Sequence, residues 1–144
     1  MPHEATFTVS YGQFQLTDYN VIPDLDGDIS GMVTPLRGGA LVACGIHTGP
    51  VRVRAEAHTA TPPPDTDAWD EVAEVTFEAP AGRVRVTPLF ENPVPELPQL
   101  TSGPRDYRLR VYARGRDVAR GRTVESSSEE YLLQVWPETP PAHP

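Results

Sequence analysis

Apolar and polar side chains alternate along most of this chain. In residues 51–58 (VRVRAEAH), Val51, Val53, Ala55 and Ala57 share one face, and Arg52, Arg54, Glu56 and His58 take the other. The same rhythm returns in 83–86 (RVRV) and in 106–116 (DYRLRVYARGR), where Tyr107, Leu109, Val111 and Ala113 point inward. Residues 69–79 (WDEVAEVTFEA) place Trp69, Ala73, Val75 and Phe77 together. A period of two with one apolar and one charged face predicts antiparallel strands wetted on one side. Residues 39–47 (GALVACGIH) are more uniformly apolar and read as an inner strand, and 130–136 (EYLLQVW) close the set. Near the N-terminus, Phe7, Val9 and Tyr11 keep odd parity, whereas Phe14 and Leu16 keep even parity. A one-residue slip would turn every later side chain to the wrong face, so a bulge or sharp bend is expected at Gly12.

The connections fit strands better than helices. Seventeen prolines interrupt any helical reading, because each fixes φ and removes a backbone donor. HTGPV (47–51) reads as a tight reversal, and EAPAGRV (78–84) as a short glycine-containing loop between strands. The proline-rich stretches 59–67 and 91–100 read as extended crossings between sheets. The pattern predicts an all-β protein: a single antiparallel β-sandwich of about seven or eight strands. It spans residues 1–137, with a flexible proline-rich tail at 138–144. Tyr112 and Trp136 fall on the outer face and are expected to mark an edge or dimer patch, the oligomeric state being open.

A chain of 144 residues can bury a core without covalent staples, and its one cysteine, Cys44, forms no internal disulfide. The N-terminus lacks a basic, then apolar, leader, and no apolar run approaches the ~20 residues of a membrane span. A cytoplasmic protein with no membrane partner is expected.

The net charge of −8 argues against nonspecific binding to nucleic acid. Residues 1–80 hold twelve acids and three arginines, and residues 81–144 hold eight acids and nine arginines. The acidic half suits a basic partner. Asp24, Asp26 and Asp28 alternate in VIPDLDGDISGM (21–32), but no register supplies both the glycine and the final acid of an EF-hand loop. A solvated acidic turn is expected there. Three Arg-x-Arg pairs (52/54, 83/85, 108/110) lie on outer faces and read as partners of Glu56, Glu71, Glu74 and Glu78 in a salt-bridge mosaic. No motif for zinc, phosphate or nucleophilic catalysis is present, and Cys44 reads as inert packing. The long connection 114–130, with Arg116, Arg120 and Arg122, reads as a contact surface.

Two segments add a resemblance. VSYGQFQLTD near the N-terminus, and DYRLRVYARGRD followed by EEYLLQVWP at the end, resemble the competence protein J family. The matching positions are Tyr11, Gln13 and Phe14, then Asp106, Tyr107 and Leu109, then Tyr131 and Leu132. The best-known member of that family inhibits a DNA-entry nuclease. The resemblance implies a non-catalytic, protein-binding sandwich without a cofactor, acting as an inhibitor or immunity-type protein on a basic nuclease or other toxin. Charge then nominates Asp24, Asp26, Asp28, Asp65, Asp67 and Asp70 as contacts, together with Arg116, Arg120 and Arg122. The alternative is a sandwich domain that binds a small ligand or Ca²⁺.

Overall fold

The computed structural model describes residues 3–22 and 31–138. These form nine strands: β1 (His3–Val9), β2 (Gln13–Thr17), β3 (Val33–Leu36), β4 (Gly39–Ala43), β5 (Gly49–Ala57), β6 (Glu71–Ala79), β7 (Arg85–Pro88), β8 (Arg105–Arg114) and β9 (Glu130–Pro137). They make a five-stranded sheet, β1-β5-β9-β8-β6, and a four-stranded sheet, β3-β4-β2-β7. Every pair is antiparallel except β5 with β9, which run parallel with Arg52 opposite Glu130. The expected all-β sandwich is therefore present. It has more strands than the alternation marks, because the N-terminal run divides into two and the short β3 carries Pro35.

That division occurs where the parity slips. Tyr11 and Gly12 both have positive φ (56° and 66°), the sign pattern of a type I′ turn, and Ser10 bridges to Gln13 across it. The bend passes the chain from one sheet to the other. An added Cβ on Gly12 would sit 3.3 Å from the Ile46 carbonyl, so glycine serves both the φ and the close approach.

The core lies between the sheets. Val9, Val51, Val53, Leu109, Val111, Leu133 and Val135 come from one side, and Phe14, Leu16, Val42 and Val86 from the other. Phe14 makes edge contacts with Phe7 (5.7 Å between centroids) and with Tyr131 (5.4 Å), so an aromatic series crosses the layer. Tyr107 directs its hydroxyl at the carbonyls of Gly103 (2.7 Å) and Ser102 (2.9 Å), which fixes the entry to β8.

Four sequence expectations are corrected. HTGPV is no tight reversal: Gly49 and Pro50 already belong to β5, and the segment after β4 carries the chain between sheets. Residues 59–67 do not cross between sheets, because β5 and β6 share one sheet and the segment passes over its outer face. Trp69 accordingly leaves the face of Ala73, Val75 and Phe77 and packs, with its ring tilted, against Tyr112 on the opposite side of the sheet. Tyr112 and Trp136 are then buried rather than exposed as a patch. Of the expected tail, Glu138 donates its N–H to the Asp106 carbonyl at 3.1 Å, and residues 139–144 lie outside the described residues.

Candidate interaction surface

The strap over the outer face uses up much of the charge there. Trp69 donates its indole N–H to Asp65 (2.6 Å), Arg110 donates to the Pro62 carbonyl (3.2 Å), and the Asp65 N–H donates to the Tyr112 hydroxyl (2.9 Å). Arg110 and Arg114 lie over the rings of Trp136 and Trp69 (4.8 and 4.5 Å). The arginine pairs of this sheet are engaged in a mosaic, but of the four expected acids only Glu56 and Glu74 pair with them, Glu71 and Glu78 meeting Arg116 and Arg37 instead. Arg52 meets Glu4 (3.0 Å), Arg54 meets Asp65 (3.7 Å), Arg108 and Arg110 share Glu74, and Arg114 meets Glu130 (3.0 Å). The Arg108 and Arg110 hydrogen bonds hold the Glu74 carboxyl below its usual range. Arg85 lies in β7 of the other sheet, and Arg83 in the connection just before it. Arg85 turns inward to the carbonyls of Leu97 (2.9 Å) and Val94 (3.3 Å), while Arg83 covers Tyr19 (4.4 Å).

Of the nominated contact residues that are described, Asp65 and Asp67 lie together in the strap, the Asp67 N–H donating to Asp65 at 3.1 Å, and most of the others are bonded within the chain. Asp65 binds Trp69 and Arg54, and the Trp69 hydrogen bond is the main cause of its lowered pKa. Asp70 accepts from the Gly115 N–H (2.9 Å), while Asp67 is exposed. Arg116 is tied to Glu71 and the Ala43 carbonyl, and Arg120 to Asp117. Arg122 is exposed, and its carbonyl accepts the N–H of His47 (2.8 Å). Asp24, Asp26 and Asp28 lie outside the described residues. Among the described residues no group of three or more His, Cys, Asp or Glu side chains could hold a metal ion.

Two buried acids were missed. Glu129 accepts hydrogen bonds from the N–H groups of Ile46 (2.6 Å) and Gly45 (3.1 Å) and from the Tyr131 hydroxyl (2.6 Å). It ties the 114–130 connection to the segment after β4. Beside it, burial pushes the Cys44 thiol up to about 12, in keeping with an inert packing role. Asp18 accepts from the N–H groups of Ala81 (2.6 Å), Arg83 (2.7 Å), Tyr19 (3.0 Å) and Gly82 (3.2 Å), closing the β6–β7 connection. Both acids accept mainly from backbone donors distant in sequence, and no local pattern signals them.

Among the described residues, the exposed apolar side chains include an aromatic pair. Tyr11 and Phe90 are 64% and 85% exposed, and their rings meet edge to face at 6.2 Å. Tyr11 also contacts His47 (5.4 Å), which is held because Gly12 N–H donates to the His47 carbonyl at 2.7 Å. Both aromatic residues have positive φ, 56° and 65°, a conformation costly for a bulky L-residue. The turn at Gly12 thus swings Tyr11 out of the inward face that its parity with Val9 suggested.

No family model matches the sequence, and no curated protein is similar to it. Solved structures are. One is ComJ from Bacillus subtilis, inhibitor of the DNA-degrading activity of NucA, with a TM-score of 0.59 at 10% identity over 96% of this chain and 99% of that one. The fold is ComJ-like. A second, the crocagin biosynthetic gene J product, has a TM-score of 0.65 at 14% identity, covering 96% of this chain and 98% of its own. The ComJ-like fold explains why the residues carrying the sequence resemblance are mostly core. Phe14, Tyr107, Leu109, Tyr131 and Leu132 are all buried, whereas Tyr11 alone among the aromatic matches is exposed.

Proposed function

We propose that this chain is a non-catalytic, protein-binding sandwich that inhibits its partner, and that the partner is a basic nuclease or similar toxin. The observation that carries the reading is the Tyr11–Phe90 pair: two exposed aromatic rings in contact, each on a strained backbone. Strain of this kind persists where function requires it, and exposed aromatics are the usual anchors of protein interfaces. The net charge of −8 suits a target that binds an anionic polymer, because complementary charge speeds encounter. The ComJ-like fold adds the precedent of an inhibitor of DNA degradation. Asp24, Asp26, Asp28 and the exposed Asp67 are the steering charges of this reading, with Arg120 and Arg122 at its periphery.

The test is a DNA-degradation assay with a nuclease encoded beside this protein, titrated with the full chain. Inhibition saturating near one equivalent is expected, and Phe90→Ala should weaken it at least tenfold. Replacing Asp24, Asp26 and Asp28 with lysine should slow association at low salt. Undiminished nuclease activity at a large excess of inhibitor rules the reading out.

A further inference from the structure

The four sheet edges are protected unequally. β7 is covered on its free side, where the N–H groups of Val94 and Leu100 donate to the carbonyls of Val86 (3.0 Å) and Val84 (2.8 Å). β6 meets the residues after β3, where Gly38 N–H donates to the Glu78 carbonyl (2.9 Å). β3 has only four residues, one of them proline. These are the devices by which sheets discourage further pairing. β1 has none of them: it is seven residues long, lacks proline, and pairs only with β5 among the described residues.

The free backbone groups of β1 can be assigned. Arg52 N–H donates to the Glu129 carbonyl (3.1 Å) and His58 N–H to the Val135 carbonyl (2.8 Å), so even-numbered residues of β5 face β9. The odd-numbered residues face β1, where Val51 is opposite Phe7 and Val53 opposite Ala5. Ala5, Phe7 and Val9 therefore bond to β5, and Glu4, Thr6 and Thr8 direct their N–H and C=O groups outward. Pro50, which has no N–H, fits opposite Thr8 in a pair that exchanges no bonds. Against this edge lies a cleft of about 340 Å³. Phe7, Pro88 and Val94 give it an apolar floor, and the exposed Glu91 and Glu96, which have no ion-pair partner among the described residues, stand at its rim.

We propose that β1 is a strand-addition site that takes an extended, lysine- or arginine-bearing segment of the partner protein. This deepens the protein-binding reading above and rests on it. Glu4, Thr6 and Thr8 supply the main-chain ladder, and a long basic side chain lays its stem over the apolar floor with its charge at Glu91 and Glu96. A second copy of this chain is a poor occupant. Its own edge segment, HEATFTV, carries no lysine or arginine, and both copies would bear a charge of −8.

The experiment uses the ¹⁵N-labelled full chain and a capped (Lys-Val)₄ peptide as probe, with capped (Glu-Val)₄ as control. In the free chain the Thr6 and Thr8 amides should exchange at least tenfold faster than those of Ala5 and Phe7. The lysine peptide should slow Thr6 and Thr8 at least tenfold, and the glutamate peptide should not. Thr6→Pro removes only an outward donor, so it should keep the melting temperature and lose the peptide. The proposal is overturned if millimolar lysine peptide leaves these amides unprotected or if the glutamate peptide protects them equally. It is also overturned if the free chain is a dimer in which they are already protected. Should Thr6→Pro inhibit the nuclease as well as the parent does, strand addition falls and the inhibitor reading stands. Should the peptide pair with β1 while no nuclease is inhibited, strand addition stands and the choice of target falls.

Discussion

Trp69 donates its indole N–H to Asp65 at 2.6 Å, and this bond pins the strap across the outer face of the five-stranded sheet. Under the strap, Tyr112 and Trp136 are buried, although strand parity points both away from the core. Trp69→Phe keeps a ring against Tyr112 but removes the donor and leaves Asp65 its weaker partners. A loss of about 1 kcal/mol is expected in urea unfolding. Hydrogen exchange should report it locally, with faster exchange at Asp65 and Asp67 and little change in β5.

Acid should weaken the same face. The pKa of Asp65 is lowered mainly by the Trp69 hydrogen bond, and that of Glu74 mainly by its hydrogen bond to Arg108. A carboxyl whose folded pKa is depressed contributes stability that is fully present above its unfolded value, and loses it as pH falls through the folded one. Urea midpoints should therefore be level above about pH 5 and fall below about pH 4, near the ordinary carboxylate range. Asp65→Asn should flatten the acid limb. An acid limb identical to that of the parent would show that Asp65 takes no part.

Glu129 holds three donors in a buried site, and its removal leaves them without an acceptor. Glu129→Ala should cost about 3 kcal/mol, and Glu129→Gln, which keeps one acceptor oxygen, about 1.5 kcal/mol. Tyr131→Phe loses the hydroxyl that donates to Glu129 and should cost about 1 kcal/mol. Chemical denaturation of the three variants gives the order directly. Equal losses for Gln and Ala would mean that the charge, rather than the acceptor geometry, is what matters.

The alternation along the chain was enough to assign most of the strands and, in β8, the inward face, since Tyr107, Leu109, Val111 and Ala113 are all buried. Parity also located the bend at Gly12. Alternation assigns a residue to a face without saying what covers that face, which is why Tyr112 and Trp136 read as surface. The strap that buries them looked like a sheet crossing because proline-rich extended chain serves either purpose. Glu129 and Asp18 were hidden for another reason. Most of their partners are backbone N–H groups that side-chain sequence does not mark, reached only after the chain has folded back. The arginine mosaic was legible because opposite charges recur at matching strand positions, as in Arg110 opposite Glu74.

The exposed aromatic pair offers a test in which stability and binding part company. Tyr11 and Phe90 each hold positive φ, which costs an L-residue on the order of 1 kcal/mol and costs glycine or asparagine less. Their rings are largely in solvent, so little packing is lost on truncation. Phe90→Gly and Tyr11→Asn should therefore leave the melting temperature unchanged or raise it, with a gain of up to about 1 kcal/mol for relief of strain. In the nuclease assay the same variants should weaken inhibition at least tenfold, since each removes an aromatic anchor. A scaffold role predicts the reverse, lower stability with inhibition intact, so thermal melts and inhibition titrations of these two variants distinguish the roles.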